Sequence, residues 1–196
     1  MNQLLLSLTN LKSLLPIFLS LIAAILLALL AHYVPVHEWD ESRNGINAIE
    51  MLGNGDWLNL HYAGKVDTWN AKPPLLIWSI ALSFKIFGIS VFALRIPSII
   101  CGALFIYFFY LTSRLFVKQS ITLAITIGLI FTKIFYLDHI GFTADFDGML
   151  NLIIIMATYF YFKFILTQQS KFLYFASFIL GIGFWVKGPA VILFCI

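Results

Sequence analysis

The residues best equipped for chemistry fall in two short stretches. The first, His37-Glu-Trp-Asp-Glu-Ser-Arg43, sets the adjacent carboxylates Asp40 and Glu41 just ahead of a guanidinium. A helical pattern follows, with Ile46, Ile49 and Leu52 on one face and Gly53 at its end, so Asp40 is expected near a helix N-terminus, where free backbone N–H groups and the dipole stabilise an ionised carboxylate. Two roles fit that position. Asp40 can be an N-cap with Glu41 as a first-turn dipole partner, or a general base that takes a proton from an acceptor hydroxyl while a neighbouring cation positions an anionic donor. Arg43 and Lys72 are the candidate cations, and either is equally suited to anchor lipid headgroups. Lys72 stands in Asn70-Ala-Lys-Pro-Pro74, immediately before a proline-bounded apolar run. An ammonium at a helix start opposes the dipole, an arrangement that makes sense where an anion such as a phosphate binds.

The second stretch is Asp138-His-Ile-Gly-Phe-Thr-Ala-Asp-Phe-Asp147. Asp145 and Asp147 have the i, i+2 spacing of acidic pairs that hold divalent cations, which makes a divalent metal a candidate cofactor, although two carboxylates alone do not define a metal site. A helix cap by Asp147 ahead of Met149 fits the same pattern, and His139 reads as an ordinary interfacial side chain. Cys101 and Cys195 both lie in apolar runs, without the spacing of a disulfide framework or a zinc site.

These stretches must be held by elements that a membrane solvates. Hydrophobic residues make up 61% of the chain and charged residues 11%, with a mean hydropathy of +0.96, a balance that no soluble core can bury. A net charge of +3, scattered along the chain, excludes nucleic acid as a partner. The expected fold class is all-α: a polytopic transmembrane helical bundle with surface helices in its first outer loop. Spans are expected at about residues 14–33, 96–116, 120–137, 149–166 and 172–186. The run from Leu75 to Phe87, at about 13 residues, is too short to cross and is expected on the surface. With that segment outside the bilayer, Lys12, Arg114, Lys118, Lys163 and Lys171 fall on one side, the cytoplasm by the positive-inside rule, together with the N-terminus. All nine acids then fall in two outer loops, residues 34–95 and 138–148. The final apolar run ends at Ile196 without a polar stop, so a C-terminal remainder is expected beyond it.

An ordered set of motifs narrows the reading: Trp39-Asp-Glu-Ser-Arg43, Met51-Leu-Gly-Asn-Gly-Asp-Trp57, Lys72-Pro-Pro-Leu-Leu-Ile-Trp78, Phe87-Gly-Ile-Ser90, Ala93-Leu-Arg-Ile-Pro97, Asp147-Gly-Met-Leu150 and Val186-Lys-Gly-Pro189. Together they resemble the N-terminal part of GT-C glycosyltransferases, more narrowly the bacterial relatives of protein O-mannosyltransferases that include the lipid A aminoarabinose transferases. The resemblance implies a GT-C bundle in a bacterial inner membrane, a polyprenyl-phosphate-linked sugar donor, and a lipid, glycan or protein acceptor on the periplasmic face. It further implies Asp40 as the catalytic acid residue acting as base, with Glu41 beside it. Lys72 and Arg95, with Arg43, would serve the donor phosphate or the loop's architecture, and Asp147 would be the second-loop acid. One departure is Asp145, which stands where such relatives often carry a basic residue. The alternatives are a transporter and a non-catalytic polyprenyl-lipid-binding protein. A transport pathway needs ionisable groups at mid-membrane depth, whereas here all but Lys133 lie at the ends of spans.

Overall fold

The computed structural model describes residues 2–136 and 141–194. Eight α-helices run in the order α1 (Asn2–Tyr33), α2 (Asp40–Asn54), α3 (Leu75–Phe87), α4 (Val91–Ser113), α5 (Gln119–Ile130), α6 (Lys133–Tyr136), α7 (Phe146–Thr167) and α8 (Ser170–Lys187), and a 3-10 turn, Gly188–Phe194, follows. Between α2 and α3 a small antiparallel hairpin pairs β1 (His61–Tyr62) with β2 (Lys65–Val66). Its two-residue turn has Ala63 at φ +54° and Gly64 at φ +74°, the left-handed pair that matches strand twist in tight hairpins.

Among the described residues four helical segments are long and apolar enough to cross a membrane: Leu14–Tyr33, Val91–Ser113, Phe146–Thr167 and Ser170–Val191. The segment expected to span at 120–137 differs. Its helix, α5, covers only 12 residues, about 18 Å against a hydrocarbon thickness of about 30 Å, before the chain turns at Phe131 and Thr132 into the short α6.

α4 is the common wall of two cores. On one side it packs with α1, α5 and α6 around Leu27, Ile106, Ile130 and Phe135; on the other with α2, α3, α7 and α8 around Met51, Ile77, Phe146 and Ile153. α3, expected on the surface, is a 13-residue helix whose inner face, Leu76, Ile77, Ile80 and Ala81, is fully buried against α2 and α4. Its junction with α4 has a specific cause. Pro97 lies inside α4 and has no N–H for the carbonyl of Ala93; the Ser83 hydroxyl of α3 donates to that carbonyl at 2.6 Å. Such satisfaction by a neighbouring side chain is what lets a proline persist in an apolar helix.

Contacts at the helix ends fix their directions. The end of α1, the start of α4 and the segment preceding α7 meet at one rim, because Arg95 donates to Ala31 and to Glu41 while Glu41 accepts from the backbone of Ala144. At the opposite end Phe116, after α4, packs edge to face on Phe162 of α7 at 4.8 Å. α4 and α7 are therefore parallel, and the chain between Ser113 and Gly141 has to return across the bundle through α5 and α6.

Candidate functional site

The rim shared by α2, α3, α7 and α8 collects Asp40, Lys72 and Asp147 of the residues singled out in the sequence. Asp40 is the first residue of α2, and the cap position is held by Trp39 at φ +73° without a side-chain cap hydrogen bond. The Asp40 carboxylate is thus not occupied as an N-cap. Its side chain is 45% exposed and lies 4.0 Å from the ammonium of Lys72, itself 33% exposed. Lys72 Nζ also sits 4.7 Å from the centroid of the Phe146 ring, close enough for a cation–π attraction.

Phe146 opens α7, and the next residue, Asp147, pairs with Lys187 at the end of α8, both side chains partly exposed. The backbone brings this pair to Lys72: a Cβ on Gly188 would stand 4.0 Å from the ring of Pro73. The indoles of Trp78 on α3 and Trp185 on α8 stack nearby with centroids 5.7 Å apart. Two ammonium groups and two carboxylates, from four elements, therefore share one rim. Lys187 appeared in the sequence only inside the Val186-Lys-Gly-Pro189 motif and was not among the expected site residues; that motif was the available signal.

Beneath the rim lies a second, buried layer. Glu41 is 2% exposed and Arg95 fully enclosed. Arg95 Nε and Nη2 donate to the two carboxylate oxygens at 2.7 Å each. Nη1 donates to the carbonyls of Ala31 and Val34, and Nη2 also to that of Pro35. A guanidinium has five N–H donors, and here each has a protein acceptor, while Phe142 covers the group at 5.1 Å. Glu41 accepts two further N–H groups, from His37 and Ala144. Burial pushes its pKa up, but the Arg95 fork and these N–H bonds outweigh it and hold the carboxyl below its ordinary value. Glu41 and Arg95 together fasten the start of α2 to α1, α4 and the segment before α7.

Arg43 is engaged in a similar way. It forks Asp67 at 2.8 and 2.6 Å and lies over the Tyr62 ring at 4.4 Å. Asp67 also accepts from Asn47 and from the backbone of Trp69 and Asn70. The Arg43 fork is the largest influence on its pKa and, with these other bonds, outweighs burial, so the carboxyl is held well below the usual carboxylate range. Asn70 links on to Asn44 and Asn47, and Asn44 to the carbonyl of Ala144. Asp67 figured in the sequence only as one of the outer-loop acids; no local spacing marks it, because its partner Arg43 lies 24 residues away.

In the second loop Asp145, rather than Asp147, caps α7: it is buried and accepts from the Phe146 backbone at 2.6 Å. Asp138 and His139 lie outside the described residues. Among the described residues no three His, Cys, Asp or Glu side chains gather as a metal site would require; Asp145 is buried, while Asp147 is partly exposed and bound to Lys187.

Residues 71–196 match the family profile described as dolichyl-phosphate-mannose-protein mannosyltransferase. The match includes Lys72, Arg95, Asp147 and Lys187 and begins after Asp40. Among curated proteins, an undecaprenyl phosphate-alpha-4-amino-4-deoxy-L-arabinose arabinosyl transferase of Pseudomonas paraeruginosa is 36% identical over 75 residues, 38% of this chain and 13% of that protein. The same-named enzyme of Pseudomonas savastanoi pv. phaseolicola is 39% identical over 95 residues, 45% of this chain and 17% of that protein. In three dimensions the chain superposes on ArnT from Cupriavidus metallidurans bound to undecaprenyl phosphate with a TM-score of 0.71 at 16% identity, covering 90% of this chain and 33% of that one. The fold is therefore the polytopic GT-C-like helical one, and the chain spans well under two thirds of the length of its relatives.

Proposed function

This chain belongs to the dolichyl-phosphate-mannose-protein mannosyltransferase family, and we propose that it carries the donor and base site of a membrane glycosyltransferase that uses a polyprenyl-phosphate-linked sugar. The observation that carries this reading is the Asp40–Lys72 pair: a carboxylate and an ammonium 4.0 Å apart, both open to solvent at the rim, directly above a buried layer that holds them in place.

Asp40 takes the proton of the acceptor hydroxyl as the oxygen attacks the anomeric carbon. The bond from that carbon to the phosphate oxygen breaks, and its electron pair leaves with the polyprenyl phosphate. Lys72, joined by Lys187 on Asp147, offsets the charge that grows on the departing phosphate. The lipid phosphate is both leaving group and membrane tether, so no nucleotide-binding domain is needed. Glu41 and Arg95 act as positioning residues because both are buried and fork onto each other. Arg43 does so because it is forked onto the enclosed carboxylate of Asp67, whereas Lys72 and Lys187 stay partly open to solvent. The site faces the periplasm of a bacterial inner membrane, with the N-terminus in the cytoplasm; the acid-free short connections with Arg114, Lys118, Lys163 and Lys171 support this orientation. The acceptor is a lipid, a glycan or a protein.

The test is Asp40→Asn in the full-length protein, assayed with polyprenyl phosphate-linked mannose and aminoarabinose. Turnover falls by about 10²- to 10⁴-fold while donor affinity stays near wild type; Lys72→Ala weakens donor binding instead. Near-normal turnover in Asp40→Asn removes the base role.

A further inference from the structure

Two indoles stand exposed at the head of α2. Trp39 is 70% and Trp69 72% exposed, and their rings lie 6.2 Å apart, tilted by 33°. They are unlike the scattered aromatic residues of the lipid-facing helices, because the backbone is held in order to present them. Trp39 adopts φ +73°, ψ −104°, a region that a bulky residue occupies only where its surroundings impose it. Its carbonyl accepts the Arg43 backbone N–H at 2.8 Å and the Ser42 hydroxyl at 3.1 Å. Arg43 then forks Asp67, and Asp67 Oδ1 accepts the backbone N–H of Trp69 at 3.1 Å. The Arg43–Asp67 ion pair thus ties the first turn of α2, whose cap position is Trp39, to the loop that carries Trp69.

Their place in the chain ties them to the proposed chemistry. Trp39 immediately precedes Asp40, and Trp69 precedes Lys72 by three residues; Asp40 and Lys72 are in turn 4.0 Å apart. In a polyprenyl-phosphate sugar the ring is bonded directly to the phosphate, so a lysine on the phosphate leaves the ring to be met by its neighbours. The faces of a pyranose expose C–H groups, which suit the electron-rich face of an indole, and an indole supplies that area with little side-chain entropy to lose.

We propose that Trp39 and Trp69 form the stacking platform for the pyranose ring of the sugar donor, with Arg43–Asp67 as its brace. This rests on the donor-site reading above and extends it to sugar recognition. The experiment uses full-length protein in lipid nanodiscs and measures the Kd of three probes: polyprenyl phosphate-mannose, polyprenyl phosphate-aminoarabinose and sugar-free polyprenyl phosphate. In Trp39→Ala and Trp69→Ala the Kd of the sugar-bearing lipids rises about tenfold or more, while that of the sugar-free lipid is unchanged; Trp39→Phe recovers most of the loss. Equal weakening of all three lipids identifies the indoles as interfacial anchors and overturns the proposal, as does unchanged affinity for both sugar-bearing lipids. Wild-type protein that binds none of the three overturns the donor reading itself, and this proposal with it.

Discussion

Asp40 and Glu41 are neighbours in sequence with opposite environments. One helical step rotates Glu41 inward onto Arg95, leaving Asp40 at the rim. The two have the same chemistry on local pattern, and their separation depends on partners 54 and 103 residues away, Arg95 and Ala144, which no spacing near residue 40 reveals. The difference predicts unlike mutants. Removing one member of a buried ion pair leaves the other charge uncompensated and costs about 3–5 kcal/mol. Arg95→Ala and Glu41→Gln should therefore lower the melting temperature and yield of the full-length protein, whereas Asp40→Asn should leave both near wild type. Arg95→Lys should not rescue, because an ammonium has three donors and no planar fork for the carboxylate and the three carbonyls that Arg95 now serves. Wild-type melting in Glu41→Gln together with lost turnover would instead make Glu41 part of the chemistry.

At the level of elements, the sequence marked α3 by Pro73, Pro74 and Gly88, since proline and glycine act locally; it marked α2 as well, but that helix runs past Gly53 to Asn54 with Gly55 as its left-handed cap, and the face it buries holds Asn44, Asn47, Ala48 and Met51 while Ile49 is exposed. It did not mark the hairpin, whose strands are two residues each, too short for an alternation to register. Nor did it mark the break after Ile130, where the only nearby breaker, Gly128, lies inside the last turn of α5 and no proline follows. The hairpin and the loop to α3 are held on α2 by the Asp67 cluster, and this gives a pH signature. Asp67 and Glu41 have folded pKa values depressed below their ordinary ones, so they bind fewer protons folded than unfolded as pH drops. Their stabilisation is present in full above the unfolded values of about 3.9 and 4.3 and is lost as pH falls below these toward the folded values. Melting followed in nanodiscs should be nearly flat from neutral pH to about 5 and fall below about 4, and Asp67→Asn should show a lower starting stability with a shallower fall. A melting temperature that does not change down to pH 3 would show that neither carboxylate is linked to unfolding.

Across the whole molecule, the alternation of basic and acidic connections had placed both acidic loops on one face, and the folded chain joins them physically: Glu41 and Asn44 of the first contact Ala144 of the second. That junction makes the site a composite of distant segments, with α1, α4 and α7 all meeting at the rim and α8 ending there. It also constrains topology. Because α4 and α7 run in parallel, residues near Lys118 and Gln168 lie at the end of the bundle opposite Asn59. With the positive-inside orientation, Asn59→Cys should react with a membrane-impermeant maleimide in intact cells, in a background with Cys101 and Cys195 replaced by Ala. Lys118→Cys and Gln168→Cys should react only after permeabilisation. The reverse pattern would place the Asp40–Lys72 rim in the cytoplasm and exclude a periplasmic acceptor. Outside labelling at both Asn59 and Gln168 would mean that α7 does not cross, and then the Asp147–Lys187 pair would have no membrane-spanning support to hold it beside Lys72.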